Sequence, residues 1–344
     1  MSSGGTDEKG GTAVDEVPSH RTGGRQDPRA ALSVGSPEPS ALLVIGEVVT
    51  DVLARHSTDL VRGTDTAARI SILPGGAGAN VACWAAYCGV ADVRLLGRVG
   101  PDETGWHESV LRSAGVRPLL IRDAEAPTAT VIVLIDATAE GTLLSDSGAA
   151  LRIGPEDWSP SLLDGVGHLH LSGYLYFSDT GRRLARVATQ SARSRGISVS
   201  VDPASAGFIE AVGVDRLLNA YGDVDVLIPN ADEACLLTGL PDPTDATLAL
   251  SGLVPLAVVT LGAKGALVAG SGQLIASVPP HTARSLDSTG AGDAFTGAFL
   301  AARQSGADAA RAAAAGCRAG AQAVTVVGAR PPRKAPAASP RQPR

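Results

Sequence analysis

The sequence is poor in residues that several classes of protein require. Its four cysteines, Cys83, Cys88, Cys235 and Cys317, form no C-x-x-C pair, so neither a disulfide framework nor a zinc site is expected, and a reduced, cytoplasmic setting is favoured. No apolar run is long enough to cross a bilayer and no secretory signal is recognisable, so no membrane partner is expected. The net charge of -6 argues against nucleic acid as a partner.

Lysine is also scarce. The chain contains only Lys9, Lys264 and Lys334, and it has no G-x-x-x-x-G-K-[ST] loop, the common lysine-containing cradle for phosphate. A phosphate-binding site in this chain would therefore depend on backbone N–H groups, on arginine or on Lys264.

The two ends of the sequence differ from the part between them. Residues 1–40 are rich in Gly, Ser, Pro and charge, and such a segment buries too little apolar surface to offset its ordering entropy. Residues 331–344 are Pro- and Ala-rich and carry basic side chains without acidic ones. Both ends are predicted to be disordered tails. Residues 41–330 are predicted to form one folded domain.

Between the tails, short apolar runs alternate with helical patterns. Strands are predicted at 42–45, 93–96, 197–201, 224–228 and 256–260. The alternation of strand and helix predicts an α/β fold with a mostly parallel central sheet covered by helices on both faces.

A β-branched run at 128–136 is followed by Gly141 and a second run at 142–144. This pattern predicts an antiparallel hairpin, and residues 51–73 are candidates to pair with it. The hairpin could form a small β-sheet lid over one end of the main sheet. An additional edge hairpin of that sheet is an equally good interpretation.

Polar residues follow several of the predicted strands. Asp202, Asn230 with Glu233, and Thr260 with Gly262 each come at or just after a strand end, where open α/β sheets bind ligands. Such residues also cap helices and form turns, and Asp202 taken alone is interpreted in that way. Asn230 and Glu233 together could hold a hydrated Mg2+ ion, which prefers one or two carboxylates plus water and phosphate oxygens.

The segment 287–295 reads Asp-Ser-Thr-Gly-Ala-Gly-Asp-Ala-Phe and leads into a predicted helix. Its glycines allow a sharp turn and a close approach to a ligand, and a helix start offers free N–H groups to an anion. The amides of 290–293 could stabilise a migrating phosphoryl group, and Asp293 could accept the proton of an alcohol. The positive helix end is expected to keep Asp293 ionised. The alternative is a simple capping aspartate after a Gly-rich turn.

This segment resembles the C-terminal signature of the ribokinase-like (PfkB) carbohydrate kinases. Four other stretches match motifs of that family in the same order: Gly-Gly-Ala-Gly-Ala-Asn-Val-Ala at 75–82, residues 95–105, the N-x-x-E pattern at 230–233, and Thr-Leu-Gly-Ala-Lys-Gly at 260–265. The agreement extends from about residue 41 to about residue 330. The sequence departs from the family after Gly328, where Arg330-Pro331-Pro332 stands in place of a final helix.

The resemblance implies a three-layer α/β/α domain with a small β-sheet lid made from about 51–73 and 118–145. It implies ATP as phosphoryl donor, Mg2+ as cofactor and K+ as a candidate activator. The residues it assigns are Asp293 as base; Gly290, Ala291 and Gly292 as anion hole; Asp51, Gly75, Gly76 and Asn80 for the acceptor; Asn230, Thr260, Gly262 and Gly265 for ATP; Glu233 and Asn230 for Mg2+ through water; and Asp287 for K+.

The predicted function is transfer of the ATP γ-phosphate to a primary hydroxyl of a sugar or sugar-like molecule. A nucleoside kinase of the same family is an alternative, and a non-catalytic sugar-binding regulator is another. A homodimer formed through the lid is left open.

Overall fold

The computed structural model describes residues 40–332, apart from residues 102, 138–140 and 204. The two predicted tails therefore lie almost wholly outside the described residues. The strands are β1 (Ala41–Ile45), β2 (Val49–His56), β3 (Ala68–Gly75), β4 (Val93–Val99), β5 (Val116–Arg122), β6 (Ala129–Ile135), β7 (Gly141–Asp146), β8 (Val166–Ser172), β9 (Ser198–Asp202), β10 (Val226–Leu227), β11 (Leu256–Thr260), β12 (Ala266–Gly270) and β13 (Gln273–Val278). The helices are α1 (Ala77–Tyr87), α2 (Thr104–Ser113), α3 (Asp179–Ser194), α4 (Ala206–Val212), α5 (Val214–Tyr221), α6 (Ala231–Thr238), α7 (Pro243–Leu253), α8 (Ala291–Gln304) and α9 (Ala309–Ala323).

Nine strands form the main sheet, in the order β13-β12-β11-β10-β9-β8-β1-β4-β5. Pairing is parallel from β11 through to β5, and only β12 and β13 add antiparallel strands at one edge. The predicted mostly parallel sheet is confirmed. Because parallel strands need crossover connections, helices alternate with them along the chain.

The sheet is the middle of three layers. On β1, Leu43 and Ile45 face a core shared with α3 and α5–α7, while Leu42 and Val44 face a second core shared with α1, α8 and α9. Burial on both faces explains why β1 reads as a continuous apolar run rather than an alternating one. No helix in the described part of the chain has both the length and the apolar character needed to cross a bilayer.

The second sheet is small and has the order β3-β2-β6-β7. The predicted hairpin is present as β6 and β7, which pair antiparallel. Strand β2 pairs antiparallel with β3 and parallel with β6, so the segment 51–73 does join the hairpin in a separate sheet. We call this four-stranded sheet the lid.

The expected start of the second lid segment at residue 118 is wrong. Residues 118–122 belong to β5, which pairs in parallel with β4 at the edge of the main sheet. The crossover through α2 returns the chain beside β4, which is the usual position after a strand–helix–strand connection. The chain enters the lid only at β6.

A buried ionic cluster lies just after β5. The Asp123 side chain is 1% exposed and accepts hydrogen bonds from Arg98 and Arg152, both at 2.8 Å, and from the N–H groups of Glu125 and Ala126, both at 2.9 Å. This carboxylate therefore ties β4 and the turn before β6 together.

Replacing Asp123 with Ala is expected to lower the free energy of unfolding by about 1–3 kcal/mol, because it leaves buried donors without an acceptor. Urea denaturation followed by circular dichroism measures the change. Asp164→Ala is the control, since Asp164 forms an ion pair with Arg195 in which both side chains are well exposed, and such pairs contribute less than about 1 kcal/mol. Equal decreases in the free energy of unfolding of the two variants would contradict the stabilising role of the buried Asp123 carboxylate.

Candidate active site

An open cleft of about 360 Å³ lies where the carboxyl ends of the parallel strands meet the lid. Residues at or just after four strand ends line it: Glu47 after β1, Ser172 at the end of β8, Asp202 at the end of β9 and Thr260 at the end of β11. From β1 the main sheet is extended through β4 and β5 toward one edge, and then from β8 onward toward the other edge. Open α/β sheets bind ligands at the point where the strand order reverses in this way.

Asp293 lies in the first turn of α8 and lines the cleft. Its Oδ2 accepts a hydrogen bond of 2.7 Å from Nδ2 of Asn80, which belongs to α1. The two residues are 213 positions apart in the chain. This bond therefore brings the two glycine-rich segments of the sequence together at one point.

The turn before α8 leaves backbone donors free. Gly290 has a φ of 73°, in the left-handed region that favours glycine, and a Cβ there would overlap Ala329. The N–H of Ala291 is directed to the carbonyl of Ser288 at 3.3 Å. The N–H groups of Gly292 and Asp293 have no hydrogen-bond partner among the described residues. An anion could bind these two free donors at the positive end of α8.

Burial raises the pKa of Asp293 to about 8. The hydrogen bond from Asn80 and the charge of Arg330 lower this pKa, while the nearby Asp202 and Glu47 carboxylates raise it. The expectation that the positive helix end keeps Asp293 ionised is therefore wrong near neutral pH. The loss of solvent and the like charges outweigh the helix terminus, and the result is a carboxyl group suited to accept a proton near neutral pH.

The segment 75–80 forms the other wall of the cleft. Gly76 precedes α1 with a φ of 92°, and a Cβ there would lie 2.5 Å from the carbonyl oxygen of Glu47. Gly76 and Asn80 both line the cleft. Gly75 does not line it; its carbonyl accepts a 3.0 Å hydrogen bond from Arg330, and a side chain there would overlap the Asp51 carboxylate. Gly75 thus makes room for Asp51.

Asp51 reaches the cleft from the lid. It lies on β2 between Leu73 and Val131, on the face of the lid that turns toward the main sheet. Burial raises the pKa of Asp51 to about 6, Arg330 opposes that rise and Asp287 adds to it. A carboxylate at this position can accept hydrogen bonds from hydroxyl groups of a bound molecule.

Asn230 and Glu233 form a capping box at the start of α6. Asn230 Oδ1 accepts from the Glu233 N–H at 2.9 Å, and Glu233 Oε2 accepts from the Asn230 N–H at 2.9 Å. Both residues also line the cleft. The capping and ligand-binding interpretations are therefore compatible, since the box holds the Glu233 carboxyl group at the cleft.

Two carboxyl groups lie near each other on this side of the cleft. Burial raises the pKa of Glu233 to about 8, and the charge of Asp202 is the next largest cause. Among the described residues, no group of three or more His, Cys, Asp or Glu side chains could hold a metal by itself. One or two carboxylates completed by water and phosphate oxygens is the arrangement that suits Mg2+, so Glu233 and Asp202 fit that ion.

The loop after β11 is only partly in the cleft. Thr260 pairs with Asn230 through an isolated parallel bridge and lines the cleft. Gly262 and Gly265 do not line it, and both have positive φ values of 57° and 99°. A side chain at Gly265 would overlap the carbonyl of Val278, so this glycine is required by the packing of the loop.

The segment 328–330 connects the two glycine-rich walls. Asp287 accepts hydrogen bonds from the N–H groups of Thr289 at 2.9 Å and Gly328 at 3.0 Å. Trp84 donates to the carbonyl of Ala329 at 3.0 Å, and Arg330 donates to the carbonyls of Gly75 and Ala79. We call residues 328–330 the strap, because it contacts both the turn before α8 and the start of α1.

Three residues of the site were not among the sequence predictions. Glu47 is 9% exposed and accepts from Ser172 Oγ at 2.8 Å and from the Gly78 N–H at 3.3 Å. Asp202 was interpreted as a cap or turn residue, but its Oδ2 accepts from Thr296 Oγ1 at 3.1 Å and it lines the cleft. Arg330 supplies a positive charge beside Asp51 and Asp293. The strand-end rule could have identified Glu47, which comes two residues after β1.

The chain is similar to known proteins in sequence and in fold. The family model described as pfkB family carbohydrate kinase matches residues 40–336. A 2-dehydro-3-deoxygluconokinase of Thermoproteus tenax is 34% identical over 240 residues, which cover 67% of this chain and 73% of the relative. An adenosine kinase of Sinorhizobium meliloti has a TM-score of 0.78 at 22% identity, over 86% of this chain and 96% of its own. An E. coli protein described as a ribokinase II, solved with ATP and Mg2+, has a TM-score of 0.76 at 24% identity, over 84% and 94%.

Proposed function

Because the chain belongs to the pfkB family of carbohydrate kinases, we propose that the cleft is its active site and that Asp293 is the catalytic base. The protein is an ATP-dependent kinase of sugar-like small molecules. The acceptor group proposed here is a primary hydroxyl, since it is the least hindered alcohol to align beside a carboxylate at a helix start.

In the proposed reaction Asp293 accepts the proton of the acceptor hydroxyl as that oxygen bonds to the γ-phosphorus of ATP and the bond to the β-phosphate oxygen breaks, which releases ADP. Asn80 holds the Asp293 carboxyl group in position. The free N–H groups of Gly292 and Asp293 stabilise the transferring phosphoryl group, together with the turn at Gly290 and Ala291. Asp51, Gly76 and Asn80 bind the acceptor's other hydroxyls.

The nucleotide is proposed to lie toward Asn230, Thr260 and the loop 262–265. Glu233, held by the capping box with Asn230, would hold Mg2+ with Asp202, in part through water. When bound, Mg2+ neutralises charge on the phosphate oxygens. The protein's own contribution on this side is to fix the two carboxyl groups at the cleft.

The hydrogen bond between Asn80 and Asp293 carries this proposal, because it joins the acceptor wall to the start of α8 beside unpaired amides. The test is a measurement of ADP release with MgATP over a panel of neutral and acidic sugars and nucleosides, with the product identified by mass spectrometry. Acceptor-dependent release with a mass gain of one phosphate is expected. Sugar binding without any ADP release would instead support the non-catalytic regulator.

A nucleoside acceptor is the second candidate. Tyr174 and Phe208 line the cleft, and their rings form an edge contact with centroids 5.7 Å apart. Flat aromatic surfaces of this kind can pack against a base. The same panel separates the two candidates, because a nucleoside kinase would turn over adenosine or cytidine in preference to the free sugars.

Asp287 is the proposed site of K+ activation. Each of its carboxyl oxygens accepts one backbone N–H and retains a lone pair for a cation. Burial opposes its ionisation, but these hydrogen bonds and the charge of Arg55 lower the pKa of Asp287 below its ordinary value. Turnover in K+ compared with turnover in tetramethylammonium at equal ionic strength tests the proposal.

The pKa of Asp293 predicts a pH dependence. The group must be ionised to accept a proton, so with a pKa of about 8 kcat/KM for MgATP is expected to be about fifty-fold lower at pH 6 than at pH 8. Glu233 also has a raised pKa of about 8, so the profile is repeated in Glu233→Gln. If kcat/KM still rises between pH 6 and pH 8 in Glu233→Gln, the rise is assigned to Asp293. A flat profile from pH 6 to 8 in the wild type would contradict the raised pKa of the base.

The outer face of the lid is a proposed dimer interface. Ile72 on β3, Ile132 on β6 and Leu144 on β7 are aligned with Val52 on that face, and they are 62%, 40% and 52% exposed. Light scattering during gel filtration is expected to give twice the chain mass for the wild type and the monomer mass for Ile72→Asp. Leu253→Asp, at an exposed leucine of α7, is the control. A monomeric wild type at 50 µM protein, roughly tenfold above the Kd of a weak dimer, would refute the proposal.

A further inference from the structure

The ionisable side chains that line the cleft are almost all acidic. Six carboxyl groups line it: Glu47, Asp51, Asp146, Asp202, Glu233 and Asp293. They come from both walls, so a molecule bound between the lid and the main sheet meets acidic groups on either side. Ionised carboxyl groups accept hydrogen bonds and protonated ones also donate them, and either form can bind a hydroxyl.

No lysine or arginine lines the cleft within the part of the chain that the structure describes. His170 lines it, but burial and the neighbouring His168 lower the pKa of His170 to about 3, so this side chain is neutral. Two arginines of the surrounding structure are already partnered: Arg330 with the carbonyls of Gly75 and Ala79, and Arg152 with Asp123 and Glu125.

Apolar side chains line much of the rest of the cleft under the lid. Val131, Val133 and Leu143 line it from the lid strands, and Tyr174 and Phe208 line it from the main domain. A carboxylate or phosphate on the acceptor would lose water here without gaining a cation, and it would face the like charge of every cleft carboxyl group that is ionised. Both effects oppose binding, each by several kcal/mol in a desolvated site.

We infer that the acceptor is an electrically neutral polyhydroxylated molecule, a free sugar or a nucleoside, and that sugar acids and sugar phosphates are excluded. The inference rests on the proposed function, since it concerns the acceptor half of that cleft. The phosphates of ATP do not conflict with it, because they are proposed to lie at the free amides of α8 and beside the Mg2+ carboxylates.

Matched pairs that differ only in an anionic group test the inference. The pairs are D-gluconamide with D-gluconate, D-fructose with D-fructose 6-phosphate, and cytidine with cytidine 3′-monophosphate, and each pair shares a free primary hydroxyl. Binding of each compound is measured by isothermal titration calorimetry with a non-hydrolysable ATP analogue and Mg2+, and turnover is measured separately by ADP release.

In the pair that binds, the neutral member is expected to bind at least about 100-fold more tightly. Equal or tighter binding of an anionic member overturns the inference, whether or not it is turned over. Selective binding of a neutral member without ADP release leaves the inference standing and removes the kinase proposal instead, so the two failures can be distinguished.

A charge-introducing variant provides a second measurement. Ser145 lies on β7 and lines the cleft from the lid. Ser145→Arg is expected to improve binding of the anionic member relative to its neutral partner by at least about tenfold, whereas Ser145→Gln, which adds bulk without charge, leaves that ratio unchanged. An unchanged ratio in Ser145→Arg would mean that charge does not select the acceptor, and it would overturn the inference.

Discussion

Replacing Asp293 with Asn is expected to reduce kcat by about 10²- to 10⁴-fold, the range for removal of a general base. Asparagine has nearly the same shape and can still accept the hydrogen bond from Asn80 Nδ2, but it cannot take up a proton from the acceptor. The acceptor KM should change little, because the hydroxyl remains within reach of a polar group. Steady-state kinetics with a coupled ADP assay measures both constants.

Asp245→Asn is a matched control for this variant. Asp245 also lies in the first turn of a helix, α7, but its side chain is exposed and does not line the cleft. Its replacement should leave kcat unchanged. A kcat for Asp293→Asn within tenfold of the wild type would contradict the role of Asp293 as the base.

The Asp293→Asn variant should also be more stable than the wild type. The folded-state pKa of Asp293, about 8, is raised from 3.8, so the folded protein holds this proton more tightly than the unfolded chain does. The ionised group is therefore a destabilising contribution that is absent below pH 4, grows as the pH rises and is complete above pH 8. At pH 8 Asp293→Asn should raise the free energy of unfolding by roughly 1 kcal/mol or more, which separates lost activity from misfolding.

Replacing Gly292 with Pro is expected to lower kcat by about 10²- to 10³-fold, the effect of removing one donor from an anion hole. The substitution deletes a backbone N–H that has no partner among the described residues. Proline is tolerated in the first turn of a helix, and a Cβ at position 292 would enter open space. The loss should therefore appear in turnover more than in the melting temperature.

Gly292→Ala separates the donor from the side chain. It adds a Cβ at the same place but keeps the N–H, so it should retain kcat within a few-fold of the wild type. If Gly292→Ala and Gly292→Pro lost activity equally, crowding of the phosphoryl group would explain the effect, and the amide of Gly292 would have no catalytic role.

The sequence was most informative where local chemistry determines structure. The glycine-rich stretch before an apolar helix pattern predicted the turn and the start of α8, because few residues other than glycine allow the left-handed backbone of Gly290. The alternation of runs predicted the parallel sheet, and the β-branched run at 128–136 predicted the hairpin. Each of these predictions depends on neighbours within about ten residues along the chain.

Properties that depend on distant residues were missed. The pKa of Asp293 is raised by burial and by Asp202 and Glu47, which are 91 and 246 positions away, and no local pattern contains that information. The contacts of Arg330 with Gly75 and Ala79 also join opposite parts of the chain. The assigned roles of Asp51, Asn80 and Asp293 stay predictions until the variants are measured.

The wide separation in sequence of Glu47, Asn80, Asp293 and the strap has a consequence for biosynthesis. A polypeptide emerging from the ribosome would contain Glu47 and Asn80 early, but it would acquire the proposed base only with residue 293 and the complete strap only with residue 330. In the proposed mechanism, phosphoryl transfer therefore requires synthesis of nearly all of residues 41–330.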